Sequence, residues 1–334
     1  MTTDTPTRRK WNITRWLLVF ALVAMGWSEW RAYTFRSALA EAKALGLLHP
    51  DPGNTIRENR KATFKEDTWL NGVTRMHIPT NEVFEQNLAI VHRLNPKELW
   101  IENAATLRDL SALKPLTRLQ DVTLTGCTGL TNVDGLKNLS ALQKVMLTGC
   151  TGLTNVDGLK NLSALQKVYL SGCTGLTNVD ALKNLSVLQE VDLTGCTGLT
   201  NVDALKNLSA LHRVYLYDCT GLTNVDALKN LSALQSVTLI GCTGLTNVDA
   251  LKNLSALQEV RLDGCTGLTN VDALKNLSAL QSVELAGCKG LTNVDGLKNL
   301  PALQTVDLFG CTGLTKESVA SLRAALPNTK ITGK

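Results

Sequence analysis

Nine cysteines are the residues of this chain with the most chemistry in them. They stand at Cys127, Cys150, Cys173, Cys196, Cys219, Cys242, Cys265, Cys288 and Cys311, each 23 residues after the last. Thiolates hold structural metals in close sequence pairs such as C-x2-C, because several donors must reach one ion. No such pair occurs here, so the sequence implies neither a metal nor a cofactor. Catalysis needs a nucleophile beside a base, paired carboxylates or a metal cluster. The four histidines, His49, His77, His92 and His212, are scattered. The C-T-G-L glycines recur with the cysteines and read as turn residues rather than a phosphate cradle. The residues thus point to a non-enzymatic protein with no catalytic residues, and the cysteines to a structural role.

The element that carries these cysteines is a repeat. From Leu119 onward the chain writes L-Q-x-V-x-L-x-G-C-T-G-L-T-N-V-D-x-L-K-N-L-S-A with a period of 23. The first half alternates with period two, which predicts a short strand burying Val and Leu on one side. The following Gly lets the chain turn. Asp, as in Val133-Asp134-Gly135-Leu136, is expected to cap a short 3₁₀ or helical turn, and the later leucines face inward. One unit cannot bury its own apolar face, but stacked units can. The prediction is an α/β repeat solenoid: parallel strands about 4.8 Å apart forming a concave sheet of about 45–50 Å over ten units. Parallel side-chain directions and an odd cysteine count oppose systematic disulfide pairing.

A degenerate earlier unit, Pro96–Arg118, keeps the register through Leu99, Ile101, Leu107, Leu110, Leu113 and Leu116. Before it, Val73–Ile78 matches the strand part only, and Asn81–Leu94 reads as one amphipathic helix opened by Thr80 or Asn81. Near the other end, Glu317–Leu326 reads as a helix ended by Pro327, and Thr329–Thr332 as a last strand. Both ends therefore carry helical caps over the open core.

This pattern resembles the leucine-rich repeat family, whose signature is L-x-x-L-x-L-x-x-N/C-x-L. Leu142, Val145, Leu147 and Cys150 occupy the matching places, and the resemblance covers about residues 96–314. The Val-Asp-x-Leu-Lys-Asn-Leu-Ser-Ala-Leu half is similar to repeats of bacterial surface proteins of the internalin type. The resemblance implies a strand per repeat and a buried cysteine bonding the backbone of the turn.

Differences among the nine near-identical units fall mostly at unit positions 3, 5 and 7, which flank the buried Val and Leu. These side chains must point to the other face of the sheet, onto its concave surface. The three columns hold 4 basic and 7 acidic residues. A face that mixed lacks the basic stripe that a phosphate backbone requires, so nucleic acid is excluded as a partner. The fifth unit, LHRVYLYDC, departs most, grouping His212, Arg213, Tyr215, Tyr217 and Asp218. Tyr169 and Asp192 lie in the same column as Tyr215. Tyr and Arg beside charge are typical of interface hot spots. With Lys144, Lys167 and Arg261, these ten residues form the candidate contact set for a protein or peptide. Drift at positions free of packing constraint is the other reading.

The remaining sequence is N-terminal. Residues 1–95 carry 13 Lys/Arg against 9 Asp/Glu, a net +4 of the total +5. Arg8, Arg9, Lys10 and Arg15 precede an uncharged run, Trp16–Ser28. Thirteen helical residues span about 20 Å, short of the roughly 30 Å hydrocarbon core. Extension from Trp11 to Trp30, with tryptophans at both interfaces, makes residues 1–30 a signal anchor and transmembrane segment. Ala24-Met25-Gly26 also fits a cleavage site, and a soluble amphipathic helix is a third reading. Positive charge ahead of the segment puts the N-terminus in the cytoplasm and the repeats outside it. Residues 31–72 then form a juxtamembrane helix and polar linker, 73–95 the N-terminal cap, 96–314 the repeats and 315–334 the C-terminal cap. The expected protein is a monomeric, membrane-anchored, extracytoplasmic binding module. An envelope spacer or adhesin-like stalk without a ligand, and a soluble intracellular scaffold or inhibitor, are the alternatives.

Overall fold

The computed structural model describes residues 34–45, 75–78 and 80–333. Among the described residues, twelve parallel strands lie in chain order in one sheet. They are β1 (Arg75–Ile78), β2 (Glu98–Glu102), β3 (Asp121–Thr125), β4 (Lys144–Thr148), β5 (Lys167–Tyr169), β6 (Glu190–Asp192), β7 (Arg213–Tyr215), β8 (Ser236–Thr238), β9 (Glu259–Arg261), β10 (Ser282–Glu284), β11 (Thr305–Asp307) and β12 (Lys330–Thr332). Register is fixed by the period: Val122 faces Val145 and Val145 faces Val168. A slip of one residue would turn every Val and Leu to the solvent side. From β2 to β11 each coil returns through a 3₁₀ turn, such as Asp134–Leu136 and Asp157–Leu159. The inward residues of one coil, Leu119, Val122, Leu124, Cys127, Leu130, Val133 and Leu136, are fully buried, and the next coils repeat this into one continuous core. That is the predicted leucine-rich solenoid.

The cysteines are all buried and free. From Cys173 onward each thiol donates to the Leu carbonyl 26 residues earlier: Cys173 to Leu147 at 3.0 Å, Cys219 to Leu193 at 3.1 Å, Cys311 to Leu285 at 3.0 Å. The thiols thus tie each coil to its predecessor. Burial pushes the thiols of Cys173, Cys196, Cys242 and Cys288 up to about 12. A thiol held protonated there is a poor nucleophile.

The turns differ from expectation in which side chain serves them. Asp134 is the first residue of its 3₁₀ turn, and Val133 stands at the cap position without a side-chain bond. The amide N–H of Asp134 donates to Asn132 Oδ1 at 3.1 Å, and Asn155 and Asn201 serve Asp157 and Asp203 likewise. Asn two residues ahead reaches the free amide as an Asx turn; the Asp side chain, already inside the turn, cannot.

At the N-terminal end the expected single helix is two, α2 (Asn81–Gln86) and α3 (Leu88–Leu94); residues 34–44 form α1 ahead of them. Asn87 makes the break: its Nδ2 donates to the Val83 carbonyl at 2.7 Å, competing with the helical ladder. Thr80 opens α2, its Oγ1 accepting from the Val83 amide at 3.3 Å. Helix α1 buries Ala38 and Ala42 in the common core, and Glu41 pairs with Arg93 of α3 at 3.0 Å. The segment read as juxtamembrane thus docks, in part, on the N-terminal cap. Among the described residues no helix is long and apolar enough to cross a membrane; the anchor segment of residues 1–30 and the linker after residue 45 lie outside them. At the other end α4 (Lys316–Ala325), capped by Thr315, buries Val319 and Leu322, and β12 closes the sheet.

Candidate binding face

Strand register turns unit positions into surface columns. Position 3 runs Lys144, Lys167, Glu190, Arg213 across β4–β7, and position 5 runs Met146, Tyr169, Asp192, Tyr215. All sit on the side of the sheet opposite the buried valines. Lys144 and Lys167 are direct cross-strand neighbours, an arrangement that like charges disfavour. The two part company. Lys144 Nζ lies over the Tyr169 ring, 5.5 Å from its centre, a cation–π contact, and Lys167 turns to Glu190 at 3.8 Å. Arg213 approaches the same Glu190 oxygen from β7 at 3.7 Å.

Glu190 is therefore the hub of the centre, with its side chain only 12% exposed while those of Lys167 and Arg213 are 43% and 52% exposed. Burial first, then the Glu190 charge and its hydrogen bond with the phenol, hold the Tyr169 hydroxyl well above the ordinary tyrosine range. Burial and Glu190 push Tyr215 the same way. The structure thus brings together Lys167, Tyr169, Arg213 and Tyr215 around one carboxylate, with Lys144 on the far side over the Tyr169 ring. Glu190 stands in the varying column, but its role depends on neighbours a full period away on both sides.

The other candidate residues divide. Asp192 is occupied internally, accepting from the Ser171 hydroxyl at 2.5 Å and the Thr194 amide at 2.9 Å. Tyr217, at position 7, is 44% exposed and open to a partner. His212 replaces the Gln that precedes each strand, and its backbone carries the ladder from Gln189 to Gln235. Asp218 occupies the turn where other units have Gly, at φ +54, a left-handed conformation that Asp tolerates better than most residues. Arg261 belongs to a different group, bridging Glu259 at 2.7 Å and Glu284 at 3.5 Å. Sequence reasoning missed the N-terminal end of the face. Trp100 stands in the position-5 column opposite Thr123, with the Arg75 guanidinium 4.9 Å from its ring centre and Glu98 paired to Arg75. The signal was present, because Leu99 and Ile101 put Trp100 in register.

Comparison with known proteins agrees with this architecture. The model of the BspA-type leucine-rich repeat region matches in 6 copies over residues 101–220 and 189–315. No curated protein matches the sequence. Among solved structures, an internalin (InlF) from Listeria monocytogenes aligns at 18% identity and a TM-score of 0.50, over 79% of this chain and 81% of its own. The leucine-rich repeat domain of the type III effector XopL aligns at 17% identity and a TM-score of 0.51, over 100% of this chain and 98% of its own. At such identities the likeness is one of fold. With the family match spanning most of the chain, this protein belongs to the BspA-type leucine-rich repeat family.

Proposed function

We propose that this chain is a non-enzymatic, monomeric binding protein. It captures another protein or a peptide on its concave sheet, with Tyr169, Arg213, Tyr215 and Tyr217 at the contact centre. The observation that carries this reading is where the units differ. Scaffold positions repeat almost verbatim, while the three columns facing solvent on one side of the sheet change from unit to unit. Aromatic rings and an arginine at the middle of that face suit a contact whose energy concentrates in a few residues. We further propose that residues 1–30 anchor the chain in a membrane with the repeats outside the cytoplasm. The basic Arg8–Arg15 flank and the tryptophans on both sides of the apolar run support that orientation.

The test is chemical cross-linking in the native host with full-length chain and its Tyr215→Ala/Tyr217→Ala variant. The variant should lose the captured partner by tenfold or more while keeping the same urea midpoint. Undiminished capture would remove the centre from the face. Membrane fractionation with and without residues 1–30 tests the anchor, and recovery of the full chain in the soluble fraction overturns it.

A further inference from the structure

The two halves of the concave face differ in a column that the central cluster does not use. At position 7, units one to four carry Thr125, Thr148, Ser171 and Thr194. The next five carry Tyr217, Ile240, Asp263, Ala286 and Phe309, so hydroxyls give way to an apolar row with one acid in it. Only four large hydrophobics are exposed among the described residues, and two of them, Tyr217 at 44% and Phe309 at 73%, stand at the ends of this row. The row is held in register by the coil ladder. The position-8 amides of Asp218, Gly241, Gly264 and Gly287 each donate at 2.7 Å to the position-7 carbonyl of the next coil.

Beside the apolar row lies uncompensated negative charge. Across β9–β11 the face presents Glu259, Asp263, Glu284 and Asp307 against one cation, Arg261, already shared by Glu259 and Glu284. Lys330 on β12, the next cation along the sheet, forms no ion pair with them among the described residues. Burial, with neighbouring carboxylates adding to it, raises both Asp263 and Glu284 above the ordinary carboxyl range. The carboxylates are pre-positioned: Asp263 accepts from the Ala286 amide at 2.9 Å, and Asp307 from the Phe309 amide at 3.0 Å and the Thr332 hydroxyl at 2.8 Å. Asp307 thereby fixes the backbone that presents Phe309.

An apolar row flanked on one side by acid, in a trough, is complementary to an apolar stripe flanked by base on a rod. Five coils from β7 to β11 span four strand spacings, about 19 Å, the length of roughly 13 helical residues. Helix neighbours at i and i+4 lie about 5–6 Å apart, close to the 4.8 Å between coils, so one side chain can meet each coil. We propose that the C-terminal half of the concave face takes a basic amphipathic helix of a partner protein, its apolar stripe along the Tyr217–Phe309 row and its Lys or Arg residues over the carboxylates of β9–β11. This rests on the concave face being the binding surface and moves the site from its centre towards β11.

The experiment uses full-length chain and two fluorescent 14-residue helical peptides. One is built of Leu and Lys with Leu on one face; the other has Glu for Lys. Fluorescence anisotropy should register binding of the Lys peptide only, weakening as salt rises. Phe309→Ala, at a side chain too exposed to support the fold, should weaken it about tenfold. Glu284→Gln/Asp307→Asn should do the same and flatten the salt dependence. Lys137→Ala, at an exposed residue ending the 3₁₀ turn away from the sheet, should leave it unchanged. Equal binding of the Glu peptide, or full affinity in both C-terminal variants, overturns the proposal. If Tyr169→Ala alone abolishes binding, the concave face survives as the binding surface and the helix site fails. If no concave variant matters, both fail. Sedimentation covers the remaining occupant: a dimer that Phe309→Ala dissolves would give the row to a second copy of this chain and overturn the proposal.

Discussion

Glu190 shows how one residue acquires a role that its own position does not announce. Two half-exposed cations reach it at 3.7–3.8 Å, too loosely and too close to water for either pair to stabilise the fold by much. Its stronger effect is on the phenols. The folded chain holds the Tyr169 proton at pH values where the unfolded chain, with ordinary tyrosines near pH 10, releases it. The native state then binds more protons, so the stability linked to Tyr169 is complete below about pH 10 and is lost as pH rises above it. Glu190→Gln should bring the tyrosine titration, followed by ultraviolet absorbance of the phenolate, back towards the ordinary range, while the unfolding free energy in urea changes by less than about 1 kcal/mol. Tyr169→Phe should remove part of the alkaline loss of stability. An unchanged tyrosine titration in Glu190→Gln would show that burial alone raises these groups.

At the scale of the element, the turn after each strand is where the chain tolerates least. Gly149, Gly172 and Gly195 sit at φ +69 to +73, and the fifth unit puts Asp218 in that place at φ +54. A left-handed L-residue costs about 1–2 kcal/mol, less for Asp, which can bond locally. Asp218→Gly is expected to stabilise the chain by about 0.5–1 kcal/mol, read as a higher urea midpoint at unchanged slope. A fall would mean that the Asp218 side chain, which lies over Gly241, contributes more than its backbone costs. The strain sits in the coil that also carries Tyr215 and Tyr217.

As a whole the molecule is a one-dimensional stack, in which each coil is stabilised by the coils beside it and the two ends need covers. The C-terminal cover buries Val319 and Leu322, together about 3–6 kcal/mol of apolar burial, and keeps Leu308 and Leu314 from water. Removing residues 315–334 should lower the urea midpoint and produce binding of a hydrophobic dye at native-like secondary structure. A truncated chain as stable as the full one would mean that the last coil closes the core by itself.

The sequence alone determined the coil, its register, the inward residues and the columns that face solvent. A 23-residue period stacked in parallel leaves one arrangement in which the recurring Val, Leu and Cys of every unit are buried at once. It also made legible the lysines, arginine and tyrosines of the central cluster, since position in the period gives the face. What only the tertiary structure decided are choices among near neighbours: which cation turns to Glu190 and which to Tyr169, that Asn rather than Asp serves the turn, and that Asn87 cuts one helix in two. The docking of α1 was equally hidden, its Glu41–Arg93 contact joining residues 52 apart outside any repeat. Periodicity reports burial, a property shared by all units. These outcomes depend on competing hydrogen bonds and charges that differ by about 1 kcal/mol, and only placed atoms decide between them.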